Sequence, residues 1–121
     1  MTRLGLSLSL FAVIAAAAGL LGGGSRAQDA QTFSAGRAVY TKWCAPCHDP
    51  GLTHPGTHAL TVKYQGVKSG VLLEWKDLPA NTVKVFVRHG ISVMPQFRKT
   101  EISDPELDAL AAYLARNTPS N

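Results

Sequence analysis

Cysteine is scarce in this chain of 121 residues: there are two, Cys44 and Cys47. A structural zinc site draws on a second Cys or His pair, and no second cysteine pair exists here. Methionine is equally thin, since Met94 is the only one besides the initiator. An excess of one charge is also missing. Twelve Lys and Arg against eight Asp and Glu give a formal +4, and Arg3 and Arg26 in the N-terminal segment account for part of it. So small an excess, with no recognition motif beside it, excludes nucleic acid as a partner. Length sets a further limit, because a chain of this size is one domain, and a small domain buries proportionally less of its surface than a large one.

What is present begins with one long apolar run. Residues 4–21 are almost wholly apolar, Arg3 precedes them, and Ser25-Arg26-Ala27 offers the small residues a signal peptidase reads. Residues 1–27 are therefore expected to be a cleaved secretory signal peptide and residues 28–121 the working domain, placed in the periplasm. The run is also just long enough to span a bilayer, so the alternative is an uncleaved anchor on the outer face of the inner membrane. Gly5, Ser7, Ser9 and the Gly22-Gly23-Gly24 break favour removal.

Both cysteines fall in Cys44-Ala45-Pro46-Cys47-His48. The pattern C-x-x-C-H reads as a site of covalent haem attachment, two thiols serving the two vinyl groups of the porphyrin and the adjacent imidazole the iron. Trp43 gives it a rival, since W-C-x-P-C is also the look of thioredoxin-type dithiols. That fold needs a strand leading into the motif and a helix continuing from it. Here the pattern before the motif is helical: Ser34 is the expected N-cap, and Phe33, Gly36, Val39, Tyr40 and Trp43 recur at spacings of three and four. Asp49-Pro50-Gly51 after it is a turn.

Downstream, Pro79 opens a short helix with Val83, Phe86 and Val87 on one face and Gly90 just past its end. Met94-Pro95 follows. A thioether opposite a His is the pairing that raises the potential of haem iron in electron-transfer proteins, so Met94 is the expected sixth ligand. His54 and His58 lie in a Gly/Pro-rich loop too near His48 to reach the opposite side, and His89 is the better competitor. Ser103-Asp104-Pro105-Glu106 is a capping box, and Leu107, Leu110, Ala111 and Leu114 follow at i, i+3, i+4 and i+7 of a closing helix. Gly36 would let that helix cross the first closely, with Tyr40 and Tyr113 near the crossing.

Gly36 and Tyr40 before the pentapeptide, Val93-Met94-Pro95 after it, and Leu110 with Tyr113-Leu114 at the end resemble the class I c-type cytochromes over nearly the whole exported part. The resemblance implies an all-α fold of short helices and loops around one covalently bound haem c, with the first and last helices crossing. It implies that Cys44 and Cys47 hold the haem, that His48 and Met94 ligate its iron, and that a carbonyl of Pro55 or Gly56 accepts the bond of the proximal imidazole. Tyr64 and Trp75 are candidates for the haem propionates, as is Arg88. The implied role is one-electron transport in a respiratory chain, from a flavoprotein or other periplasmic dehydrogenase to another cytochrome or a terminal oxidase, without substrate turnover. The alternatives are a thiol–disulfide oxidoreductase using the dithiol and a haem peroxidase with an open sixth site. The run from Phe86 through Glu101 is similar to the cytochrome subunits of flavin-dependent hydroxylases of the p-cresol methylhydroxylase and eugenol hydroxylase type. Lys63, Lys68, Lys76, Lys84, Arg88, Arg98 and Lys99 lie in the stretch expected around the haem edge, where a basic face would steer an acidic partner.

Overall fold

The computed structural model describes residues 24–119, and over these the chain is helical. Helix α1 (Gly24–Val39) runs into a single π-turn (Tyr40–Cys44) and then α2 (Ala45–His48). Helices α3 (Pro55–Tyr64), α4 (Ala80–His89) and α5 (Asp104–Ala115) follow, with one turn of 3-10 helix at Leu72–Glu74. No helix among the described residues is long and apolar enough to cross a membrane. The expected signal peptide lies largely outside the described residues. Its expected junction, Ala27 to Gln28, falls within α1.

Ser34 does not open the first helix. It sits inside α1 with its hydroxyl donating to the Gln31 carbonyl at 2.9 Å, a local bond that a helix interior tolerates. The closing helix follows its sequence signals closely. Ser103 caps α5, its backbone N–H donates to the Glu106 carboxylate at 2.8 Å, and the Glu106 N–H returns to the Ser103 hydroxyl at 3.4 Å. Pro105 occupies the first turn, where a missing N–H costs nothing.

Helices α1 and α5 form the main contact of the fold. Gly36 makes it possible: a β-carbon there would stand 2.7 Å from the Ala109 carbonyl carbon and 2.7 Å from the Tyr113 Cβ, too close for any other residue. Tyr40 and Tyr113 pack beside the crossing with ring centroids 5.8 Å apart, and Phe33 meets Tyr113 edge-on at 5.0 Å. Helix α4 lies against α5 and contributes Val83 and Val87, while Leu107, Leu110, Ala111 and Leu114 fill the middle. Phe86 departs from expectation, being 37% exposed on the outer side of α4. Ile102 and Leu110, with no exposed surface, mark the centre of the core.

Candidate functional site

The cysteine motif arrives at the C-terminal end of a continuous helical run. Within the π-turn the Ala45 N–H reaches back five residues to the Tyr40 carbonyl, and the extra residue rotates the following face relative to α1. Cys44 is buried and Cys47 exposed, and neither is in a disulfide. Burial first, and the neighbouring Cys47 second, push the Cys44 thiol up to about 12. A dithiol nucleophile needs the opposite, a thiolate stabilised at a helix N-terminus or by nearby cations.

A helix end leaves carbonyls without partners. Here side chains from both flanking helices take them. The Tyr40 hydroxyl donates to the His48 carbonyl at 3.0 Å, His54 Nδ1–H to the Pro46 carbonyl at 3.1 Å, and the buried Thr57 hydroxyl to the Asp49 carbonyl at 2.9 Å. Burial, with Asp49 nearby, raises the Tyr40 pKa, so its phenol stays a donor. His54 and Thr57 were missed in the sequence because residues 54–58 read as a loop. Pro55 in fact opens α3, with His54 extended before it, which is the signal that was available.

The same helix start sets the environment of His48. Its imidazole is half-buried, and desolvation lowers its pKa, which keeps it neutral and able to ligate a metal. Nδ1 is buried without a hydrogen-bond partner. Gly56 presses on that edge, for a β-carbon there would lie 2.8 Å from Nδ1 and 2.6 Å from Cε1. Neither the Pro55 nor the Gly56 carbonyl bonds Nδ1, and Gly56 instead gives the ring room.

Met94 ends a tight turn after α4. Gly90 sits at φ 68°, Ser92 at φ 54°, and the backbones of Ile91 and Met94 exchange bonds of 3.1 and 2.9 Å. The side chain of Met94 is partly buried against the core. Three residues on, Phe97 packs edge-on against Trp43, their centroids 5.8 Å apart, so the methionine loop is fastened to the helix that carries the cysteines. Trp43 thus has a packing partner here, which accounts for the W-C-x-P-C look.

The remaining expected site residues lie in two places. Tyr64 and Trp75 meet edge-on at 5.6 Å, Lys68 Nζ stands 3.4 Å over the Trp75 ring, and the Trp75 indole N–H donates to the Ser69 carbonyl at 2.7 Å. Arg88 is instead bonded to Phe97 and Asp104. His89 is exposed at the end of α4. The expected basic face is largely neutralised: Lys68 pairs with Asp77, Lys84 with Asp108, Arg98 with Glu101, and Arg88 and Lys99 both with Asp104. Most of these carboxylates come from residues 101–108, around the start of α5.

Residues 31–114 match the family described as cytochrome c oxidase, cbb3-type, subunit III. The chain belongs to this family of c-type cytochromes. It is 32% identical over 97 residues, 80% of this chain and 73% of the relative, to the cytochrome c subunit of 4-cresol dehydrogenase (hydroxylating) from Pseudomonas putida. No solved structure matches it. The cytochrome carries covalent haem c and transfers electrons rather than turning over a substrate. Its residues fit that group: two unbonded thiols, a neutral imidazole with an orphaned buried nitrogen, and a glycine clearing space beside the ring. The all-α architecture is that expected of the family.

Proposed function

We propose that Cys44 and Cys47 hold the haem through thioethers, that His48 and Met94 ligate its iron, and that this cytochrome takes electrons from a periplasmic flavin-dependent dehydrogenase and delivers them to another cytochrome or a terminal oxidase. The observation that carries the reading is the state of His48: half-buried, neutral, directly after the two thiols, and with Nδ1 turned to Gly56, which leaves Nε2 for the metal. When bound, the haem supplies a one-electron Fe(III)/Fe(II) couple. Cys44 and Cys47 would hold the haem by adding their thiols across its two vinyl groups, an addition that would need no oxidant. Tyr40, His54 and Thr57 hold the carbonyls around the motif, so the imidazole keeps one orientation. The soft sulfur of Met94 would favour the reduced iron and leave no site on it for substrates.

The dehydrogenase proposal draws on the likeness to the 4-cresol dehydrogenase cytochrome subunit. The periplasmic placement draws on the N-terminal segment, removed after Ala27. Mixing the purified cytochrome with a candidate flavoprotein and its substrate tests the donor: haem reduction is expected at a rate matching substrate loss. A flavoprotein from the same operon that turns over its substrate yet leaves the haem oxidised would contradict it.

A further inference from the structure

The loop that carries Met94 has one anchor the family reading does not use. Downstream of the Ile91–Met94 turn, Pro95 has no N–H to offer and Gln96 is exposed. The next fixed point is Phe97, and its backbone is held at both ends by the last turn of α4. Its N–H donates to the Val87 carbonyl at 2.8 Å, and its carbonyl accepts from Arg88 Nη1 at 3.0 Å. The same guanidinium gives Nη2 to Asp104 at 2.9 Å, at the start of α5. Its side chain is only 18% exposed, against 56% for Asp104. Lys99 reaches the other Asp104 oxygen at 2.7 Å. One planar fork therefore ties three segments together: α4, the methionine loop and α5.

We propose that Arg88 is a positioning residue for the sixth iron ligand, holding residues 90–97 against α4 so that Met94 stays seated. The proposal rests on the reading of Met94 as ligand. Two acceptors lying in different directions suit a guanidinium, whose donors are fixed in a plane, and not an ammonium, which is a single point charge. Loss of the fork frees the Phe97 carbonyl and leaves the loop fastened by the Val87 bond and by the Trp43 contact. The loop then opens more often, and an added ligand competes better for the iron, because apparent affinity scales with the fraction of molecules in the competent state.

The test is imidazole binding to the oxidised holoprotein, read by absorbance, together with the red-edge band that marks methionine on Fe(III). The variants are Arg88→Gln, Arg88→Lys, Asp104→Asn and Met94→Ala, each at a temperature where its far-ultraviolet dichroism equals that of the parent. Arg88→Gln is expected to bind imidazole about tenfold more tightly with a weakened band. Arg88→Lys and Asp104→Asn should fall between it and the parent, and they carry the test if Arg88→Gln does not fold. Parent-like affinity and band in the folded Arg88 and Asp104 variants, with the band lost in Met94→Ala, overturn the proposal alone. A band that survives Met94→Ala removes methionine ligation and the proposal with it.

Discussion

Met94 and His48 carry different kinds of information. Covalent attachment demands two thiols at a fixed spacing and a ligand beside them, so Cys44, Cys47 and His48 stand out as candidates in five letters. Met94 has no such motif and becomes readable only once the pentapeptide has been understood. Met94→Ala is expected to abolish the red-edge band and lower the reduction potential, because a thioether opposite His raises it; potentiometry and absorbance check both. Gly56 was expected to offer its carbonyl to the His48 ring, and instead it leaves that ring room. Gly56→Ala places a methyl group against Nδ1 and Cε1 of His48, so we expect haem still attached through the cysteines but altered axial ligation, seen as a shifted potential in a protein of unchanged haem content. The anchors Tyr40, His54 and Thr57 escaped the sequence reading because each acts on a carbonyl eight residues away, and nothing local announces such a partner.

Elements were legible where local chemistry terminates them. The Ser103–Glu106 box and Pro79 with Gly90 fix α5 and α4 almost to the residue, since caps and φ restrictions are local. Helix α1 was read too short and α3 not at all. Ser34 looks like a cap but bonds backward within the helix, and the Gly and Pro of residues 51–56 hide a helix that Pro55 starts. The tightest constraint at this scale is the α1–α5 crossing. Gly36→Ala meets backbone and a β-carbon at 2.7 Å, neither of which can swing aside, and is expected to cost about 3 kcal/mol in urea unfolding of the holoprotein. A second expectation concerns acid. Glu101 is held below the usual carboxylate range by the Arg98 N–H and guanidinium, Asp104 by Lys99 and Arg88, and Glu106 by the Ser103 hydroxyl and N–H. Their folded pKa values lie below the unfolded values of about 4, so the stability they contribute is present above that pH and is lost as pH falls through the folded values. The melting temperature should therefore decline below about pH 4, and less so in Glu106→Gln than in the parent.

For the molecule as a whole, composition and fold speak differently. Seven basic side chains in one stretch of sequence suggest a steering field, yet five of them meet carboxylates once the chain folds, several from the acidic start of α5. Lys63 and Lys76 are the two of that run left outside these ion pairs. Electrostatic steering can change association rates by roughly 10–1000-fold, and it falls steeply with ionic strength. With the charge largely compensated, reduction by the donor dehydrogenase is expected to change by less than about threefold between 20 and 200 mM salt in stopped flow. A steep salt dependence would restore the basic face as the docking determinant.

The central claim is that the thiols of Cys44 and Cys47 bind haem covalently and that His48 and Met94 complete the iron. It is tested most directly by the spectrum of the purified protein before and after denaturation and acid–acetone extraction. The purified protein is expected to be red, with a sharp reduced α-band, a red-edge band when oxidised that Met94→Ala removes, and haem that stays with the polypeptide through extraction. A colourless protein with two titratable thiols, or haem that leaves with the solvent, would contradict it.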